Sequence, residues 1–127
     1  MPHLLIVDDS QTIRRMVRVA LAPLSMDVIE AASGLDAIEQ LAVAPVSLIV
    51  LDLNMPDMHG LDVLGFVRAS QKFQHIPVLV LTTRGDDASR AAALQAGATR
   101  YLTKPFKPQA LLTEARDVMA SVVPGPR

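Results

Sequence analysis

Val46-Ser47-Leu48-Ile49-Val50-Leu51-Asp52, residues 46–52, is a largely apolar run that ends at an acid. A strand that is apolar along its whole length, and not only on alternate residues, is buried on both faces. This pattern is typical of parallel sheets that are covered by helices. The run therefore predicts a central strand of a parallel sheet, with Asp52 at its carboxyl end.

The segments on either side of this strand repeat one alternation, in which a short apolar run precedes a helical period. Predicted strands cover residues 4–7, 26–30, 46–51, 76–81 and 100–103. The first predicted helix carries the apolar stripe Ile13, Met16, Val17, Ala20, Leu21 and Leu24, and the fifth carries a stripe from Leu111 to Val122. The second runs from a capping box at Ser33-Gly34-Leu35-Asp36 to before Pro45. The third runs from Gly60 to about Ala69, and the fourth from Asp86 to Ala96 before Gly97. Five such units require crossover connections, so the sequence predicts a doubly wound α/β fold with a five-stranded parallel sheet and five helices on its two faces.

Length and composition limit the possible functions. The chain has 127 residues, enough for one domain with its own core, and a net charge of −1, which gives no reason to expect nucleic-acid binding. It has no cysteine, which excludes disulfides and thiolate chemistry. The apolar start is too short for membrane insertion, so we expect a cytoplasmic protein. One domain over residues 1–123 and a flexible tail over 124–127 are predicted.

Polar side chains stand at the predicted carboxyl ends of four strands, which is where ligands bind in such sheets. Strand 1 ends in Asp8 and Asp9, strand 3 in Asp52, strand 4 in Thr82, and strand 5 runs into Lys104. Three carboxylates so close together repel one another unless a cation compensates, and Mg²⁺ suits oxygen ligands of this kind. A carboxylate can also attack phosphorus when a metal and a lysine neutralise the transferring oxygens.

The chain resembles the receiver domain of two-component response regulators over nearly its whole length. The segments that carry the resemblance are Leu5-Ile6-Val7-Asp8-Asp9, Leu51-Asp52-Leu53-Asn54-Met55-Pro56, Leu81-Thr82-Thr83 and Tyr101-Leu102-Thr103-Lys104-Pro105-Phe106. The order and spacing of these segments are far more specific than any one of them alone. The resemblance implies the flavodoxin-like strand order 2-1-3-4-5.

The resemblance also implies a role for each strand-end residue. Asp52 would accept a phosphoryl group from a phosphohistidine on a sensor histidine kinase or a histidine phosphotransfer protein. Asp9 and Asp52 would hold Mg²⁺ directly, Asp8 mainly through water, and the backbone carbonyl of Asn54 would be a further ligand. Lys104 would bridge to the phosphoryl group, aimed by a cis bond to the proline that follows it.

The same resemblance implies how the signal would leave the site. Thr82 would move toward the new phosphate and Tyr101 would turn inward, changing the face formed by helix 4, strand 5 and helix 5. That face would bind a downstream target protein, such as a flagellar switch or another effector. The chain would be a stand-alone regulator, a monomer or a weak phosphorylation-dependent dimer, and no enzyme beyond its own phosphorylation and dephosphorylation.

Simpler interpretations of individual residues remain open. Asp8 or Asp9 could cap helix 1, and Asp52 could form an Asx-turn. Lys104 could be a solvated charge at a strand end. Arg14, Arg15 and Arg18 are expected to form a solvated face of helix 1, with a contact to a partner as the alternative. No chemistry is assigned to His3, His59 and His75, which are not spaced as metal ligands.

Two other function classes compete with this one. A magnesium-dependent hydrolase of the haloacid dehalogenase class also uses a strand-end Asp as a nucleophile, but it places a second Asp where this chain has Asn54, which cannot act as a general acid or base. A flavodoxin-like mononucleotide binder needs a phosphate-binding loop after strand 1, where Asp8 and Asp9 would repel phosphate. Within the receiver family, the region around helix 1 resembles chemotaxis regulators, and an adaptor in a phosphorelay is the alternative.

Overall fold

The computed structural model describes residues 3–55 and 58–121 and contains one five-stranded parallel sheet. The strands are β1 (His3–Val7), β2 (Asp27–Ala31), β3 (Val46–Asp52), β4 (Val78–Thr82) and β5 (Arg100–Thr103). Their order across the sheet is β2-β1-β3-β4-β5, and every neighbouring pair is parallel. The predicted fold class and strand order are therefore confirmed.

Four α-helices connect the strands, a fifth follows the last strand, and together they cover the sheet on both faces. They are α1 (Gln11–Ala20), α2 (Gly34–Val43), α3 (Gly60–Ala69), α4 (Asp87–Gln95) and α5 (Pro108–Ser121), and a short 3₁₀ turn (Ala22–Leu24) follows α1. Buried residues of α1 and α5 pack in one core cluster, and those of α2, α3 and α4 pack in the other. Side-chain caps begin α1, α2 and α4 in one common way, because Ser10, Ser33 and Asp86 each accept a hydrogen bond from the backbone three residues on.

Both faces of the central strands are buried, as their continuous apolar sequence predicts. In β3, Ile49 and Leu51 belong to the cluster under α2, α3 and α4, whereas Leu48 and Val50 belong to the cluster under α1 and α5. All four side chains are 1% exposed or less. Because the strands are fixed on two sides, their carboxyl ends form a rigid edge on which a site can be built.

Several predicted element ends differ from the structure by one residue, and three departures are larger. The first helix ends at Ala20, and Leu24 lies in the 3₁₀ turn, because Pro23 lacks the amide hydrogen that a continuing α-helix needs. Met16 was expected on the buried stripe but is 41% exposed. The fourth strand begins at Val78, two residues later than predicted. The predicted tail at 124–127 and the stripe position Val122 lie outside the described residues.

Candidate functional site

The strand order places the carboxyl end of β3 between those of β1 and β4, and the predicted acids meet there. One carboxylate oxygen from each of Asp8, Asp9 and Asp52 lies within 4.8 Å of the others. Asp8 and Asp52 are each only 2% exposed, whereas Asp9 is exposed. Two buried carboxylates and one that faces solvent therefore form a single acidic cluster.

Lys104 follows β5 and reaches back across the edge of the sheet to this cluster. Its Nζ atom lies 2.9 Å from Asp8 Oδ2 and 3.1 Å from Asp52 Oδ1, and its side chain is 14% exposed. Burial by itself would lower the pKa of Lys104, but the hydrogen bonds and attraction of Asp8 and Asp52 outweigh it and raise the pKa above its ordinary value. Lys104 is thus a partly buried ion-pair partner of two acids, and the solvated alternative is wrong. The Lys104–Pro105 bond is cis, as the resemblance implies.

Asp52 combines a turn role with an unusual electrostatic position. Its Oδ1 accepts a hydrogen bond of 3.1 Å from the backbone amide of Asn54, so the Asx-turn interpretation is correct. Burial raises the pKa of Asp52, and the nearby charge of Asp8 raises it further, against the lowering effects of the Asn54 amide and Lys104. A carboxylate has several lone pairs, so the turn leaves Asp52 free to contact other groups.

Helix α1 is capped by Ser10 and not by the acids before it. Ser10 Oγ accepts from the Ile13 amide at 3.2 Å, and Asp8 Oδ1 accepts from the Ser10 amide at 2.9 Å. The cap interpretation is therefore wrong for Asp8 and Asp9. Their carboxylates are turned toward Asp52, which is the placement that a metal site needs.

The oxygen ligands and charges of this cluster fit a hard divalent cation. All the clustered side chains are carboxylates, and two of them are removed from water, where uncompensated negative charge is costly. Lys104 contacts Asp8 and Asp52, while Asp9 is exposed to solvent. An acidic pocket of this composition can bind a metal ion through Asp8, Asp9 and Asp52.

Thr82 occupies the end of β4 on the other side of Asp52 and is fully buried. Its Oγ1 accepts hydrogen bonds from Asn54 Nδ2 at 3.3 Å and from the Arg84 amide at 3.2 Å. Asn54 Nδ2 also lies 3.3 Å from Thr83 Oγ1. The side chain of Asn54 thereby links the loop after β3 to the loop after β4, a role that the sequence did not reveal.

Tyr101 in β5 packs inward, with 8% of its surface exposed. Its hydroxyl donates to the backbone carbonyl of Arg84, and the Arg90 guanidinium lies 5.2 Å from the ring centroid. Burial raises the pKa of the Tyr101 phenol, and the charge of Asp86 adds to the effect. Thr82 and Tyr101 therefore bind the same short loop from opposite ends, through the amide and the carbonyl of Arg84.

A cavity of about 280 Å³ lies next to these groups, between the loop after β3 and α4. Asn54, His59, Thr82 and Arg84 are among the residues that line it. His59, which was given no chemistry, is the N-cap of α3, since its Nδ1 accepts from the Leu61 amide at 3.1 Å. The position of His59 directly before the predicted helix start at Gly60 could have indicated this capping role, but histidine is an uncommon N-cap residue.

Arg14 contradicts the expectation of a solvated arginine face on helix 1. Its side chain is only 14% exposed, and it donates to the Asp8 carbonyl at 2.7 Å and to Glu30 at 2.9 Å. Arg18, at 49% exposure, shares the Glu30 carboxylate, and Arg15 is exposed. One of the three arginines thus belongs to the surroundings of the acidic cluster.

None of the helices in the described ranges is both long and apolar enough to cross a bilayer.

Comparisons with known proteins agree with this geometry. Residues 4–116 match the family model of the response regulator receiver domain. Chemotaxis protein CheY1 of Helicobacter pylori strain J99 is 42% identical over 120 residues, which cover 93% of this chain and 97% of that protein. The CheY homolog of Campylobacter jejuni strain 81-176 is 40% identical over the same length, covering 93% and 92%. The solved structure of chemotaxis response regulator CheY4 of Vibrio cholerae has a TM-score of 0.86 at 36% identity, covering 93% and 98%.

Proposed function

Because the chain belongs to the response regulator receiver domain family, we propose that it is a phosphorylation switch whose acceptor is Asp52. The donor is a phosphohistidine on a sensor histidine kinase or a histidine phosphotransfer protein. One observation carries the proposal. Asp52 lies at a buried strand end within one cluster that also contains two further carboxylates and a lysine.

In the proposed reaction, an Asp52 carboxylate oxygen attacks phosphorus while the bond from phosphorus to the donor imidazole nitrogen breaks. The imidazole leaves with the bonding electron pair, and an aspartyl-phosphate forms. Hydrolysis reverses the modification when water attacks phosphorus and the Asp52 carboxylate leaves. The raised pKa of Asp52 reports its burial beside Asp8, and a bound cation favours the ionised carboxylate that the attack requires.

Mg²⁺ is the proposed cofactor, held by Asp8, Asp9, Asp52 and the Asn54 backbone carbonyl. When bound, it neutralises negative charge on the transferring phosphoryl oxygens. Lys104 provides a second positive charge, with its Nζ atom 2.9 Å from Asp8 Oδ2 and 3.1 Å from Asp52 Oδ1. Thr82, with its hydroxyl at the neighbouring strand end, donates a hydrogen bond to a phosphoryl oxygen when its side chain turns toward that group.

The readout that we propose runs from Thr82 through the Arg84 loop to Tyr101. When the Thr82 side chain turns to the phosphoryl group, it loses the hydrogen bond from the Arg84 backbone amide. The carbonyl of Arg84 accepts the hydrogen bond from the Tyr101 hydroxyl. Movement of this loop therefore changes the surroundings of Tyr101, and with them the face formed by α4, β5 and α5. A downstream protein binds that face.

Chemotaxis is the pathway that the relatives favour. Proteins named for chemotaxis in Helicobacter pylori and Campylobacter jejuni match this chain over more than nine-tenths of their own length. We propose that the downstream protein is a flagellar switch component; the alternative is that this chain is itself an adaptor in a phosphorelay. Pull-down of a flagellar switch component by the phosphorylated chain, and not by Asp52→Asn, supports the first, whereas onward transfer of the phosphoryl group to a histidine phosphotransfer protein supports the second.

The hydrolase alternative is disfavoured by Asn54. Its amide is a donor to two threonine hydroxyls and, unlike a carboxylate, cannot serve as a proton acceptor for turnover of an external ester. Receiver domains are regulators, so we expect no steady release of phosphate from phosphate monoesters. Multiple turnover of such an ester would favour the hydrolase instead.

The decisive experiment incubates the chain with Mg²⁺ and a small acyl phosphate and measures the intact mass. We expect one phosphoryl adduct in the unmodified chain, none in Asp52→Asn, and a normal adduct in Asp62→Asn, a matched exposed acid on α3. Chelation of Mg²⁺ is expected to abolish labelling. Undiminished labelling of Asp52→Asn would overturn the assignment.

A further inference from the structure

Arg14 of helix α1 connects the residue Asp8 of the acidic cluster to Glu30 of strand β2. The main chain of Asp8 lies just beyond β1, where the strand's own hydrogen-bond ladder stops. Its amide still donates to the Ala31 carbonyl at 3.1 Å, but its carbonyl is bound by Arg14 Nη1 at 2.7 Å. The Asp8 amide is therefore held by the neighbouring strand, and the Asp8 carbonyl is held by the Arg14 side chain.

Glu30 fixes the direction of Arg14. It stands next to Ile6 in the paired strand, and Ile6 packs in the core cluster under α1, so Glu30 points to the same face. Its carboxylate accepts from Arg14 Nε at 2.9 Å and from Arg18 Nη2 at 2.5 Å. These two arginines, Arg18 first, keep the pKa of Glu30 below its ordinary value, so Glu30 is ionised at neutral pH.

We propose that Arg14 is a positioning residue for the metal site, which sets the carboxylate of Asp8 by fixing its carbonyl, and that Glu30 acts through Arg14. The inference rests on the proposed function, in which Asp8 helps to hold Mg²⁺. A guanidinium suits this role because its planar donors reach a carbonyl and a carboxylate at once. A lysine ammonium in its place has a single nitrogen and reaches one of them at a time.

Charge and positioning make opposite predictions for the removal of Arg14. If Arg14 acted only as a positive charge near the acids, its loss would strengthen Mg²⁺ binding by reducing repulsion. If it positions Asp8, its loss weakens Mg²⁺ binding despite that gain, because an orienting partner of a ligand is lost. The sign of the change in affinity therefore separates the two roles.

The test titrates Mg²⁺ alone, without any phosphoryl donor, into the folded chain and its variants by calorimetry. We expect Arg14→Met to bind Mg²⁺ about 10-fold more weakly, the lower end of the range for groups that orient metal ligands. Arg15→Met, which removes the same charge from an exposed position on the same helix, is expected to bind equally or slightly more tightly. Arg14→Lys is expected to recover part of the loss.

Glu30→Gln tests the second half of the inference and leaves Arg14 in place should Arg14→Met fail to fold. It is expected to weaken Mg²⁺ binding, whereas Glu39→Gln, a matched charge removal at an exposed site on α2, is not. The double variant Arg14→Met with Glu30→Gln is expected to bind no more weakly than Arg14→Met alone, because Glu30 acts through Arg14.

Each result has one meaning. Equal affinities of Arg14→Met and Arg15→Met, or tighter binding by Arg14→Met, overturn the positioning role while the proposed function stands. Additive losses in the double variant overturn the dependence of Glu30 on Arg14. An unmodified chain that binds no Mg²⁺ overturns the proposed function and this inference together.

Discussion

Helices α3 and α4 follow the two strands that carry Asp52 and Thr82, yet they are held in very different ways. Four residues of α3 are buried, three of them with large apolar side chains: Gly60, Val63, Leu64 and Val67. Of the nine residues of α4, all of which the structure describes, only Ala93 is buried. Few buried contacts mean a low free energy of local opening. Helix α3, which follows the strand of Asp52, is thus firmly held, whereas α4, which follows the strand of Thr82, is expected to open more easily.

The two ends of α4 also differ. Its carboxyl end is held by Arg68 of α3, which donates to the Gly97 carbonyl at 2.9 Å and packs where a side chain on Gly97 would lie. Gly97 has a positive φ of 112°, which a side chain would strain. At the amino end, the exposed Asp86 caps the helix through the Ser89 amide. Opening of α4 is therefore expected to begin at its amino end, beside Thr82.

The largest expected effect comes from shortening a buried side chain of α3. Leu64 is fully buried, so Leu64→Ala is expected to lower the free energy of unfolding by about 2–5 kcal/mol. Leu94→Ala in α4, where the leucine is 44% exposed, is expected to cost well under that, about 0.5 kcal/mol. Urea denaturation measures both. Equal losses would contradict the contrast between the helices.

A smaller effect is expected at the contact between β5 and the loop before α4. Tyr101→Phe removes the hydrogen bond from the hydroxyl to the Arg84 carbonyl and is expected to cost about 1 kcal/mol. Because the contact holds the amino end of α4, the loss is expected to appear as faster amide hydrogen exchange there, with exchange in α3 as the internal control. Equal acceleration in both helices would show that the bond stabilises the whole fold instead.

The smallest effect concerns the ion pairs that join α1 to Glu30 of β2. The pKa of Glu30 is lowered on folding from its ordinary 4.5, so the ionised group stabilises the fold above that pH and the stabilisation is lost as pH falls through the folded-state pKa. Glu30→Gln is expected to cost less than about 1 kcal/mol at neutral pH and nothing in acid. Thermal unfolding against pH, with Glu39→Gln as control, measures this. A difference that persists unchanged into acid would exclude the charge as its cause.

Much of the fold and of the candidate site was predictable from local sequence. The apolar runs and the acids and threonines that end them are properties of short segments, and a parallel sheet brings such ends to one edge whatever the connections contain. Lys104 was predictable for the same reason, although it contacts Asp8 across 96 positions of sequence.

The predictions for Arg14 and Met16 were wrong because the surroundings of both residues depend on how distant segments pack together. Arg14 looked like one of three surface arginines because its partner Glu30 reaches it only through the pairing of β1 with β2. Met16 fits the helical period but lies at the margin of the buried stripe, and its exposure depends on how α1 rotates against the sheet. Periodicity gives the existence of an apolar face but not its angular limits.

Gly60 limits how the site can change in evolution. Its backbone lies so close to the end of β3 that an added Cβ atom would stand 2.5 Å from the Asp52 carbonyl oxygen, and its amide donates to the Leu53 carbonyl at 3.1 Å. Any side chain at position 60 would therefore have to displace the backbone of Asp52 or Leu53. The residue type at the start of one helix is in this way tied to the position of Asp52, so selection that keeps Asp52 in place also keeps a glycine at position 60.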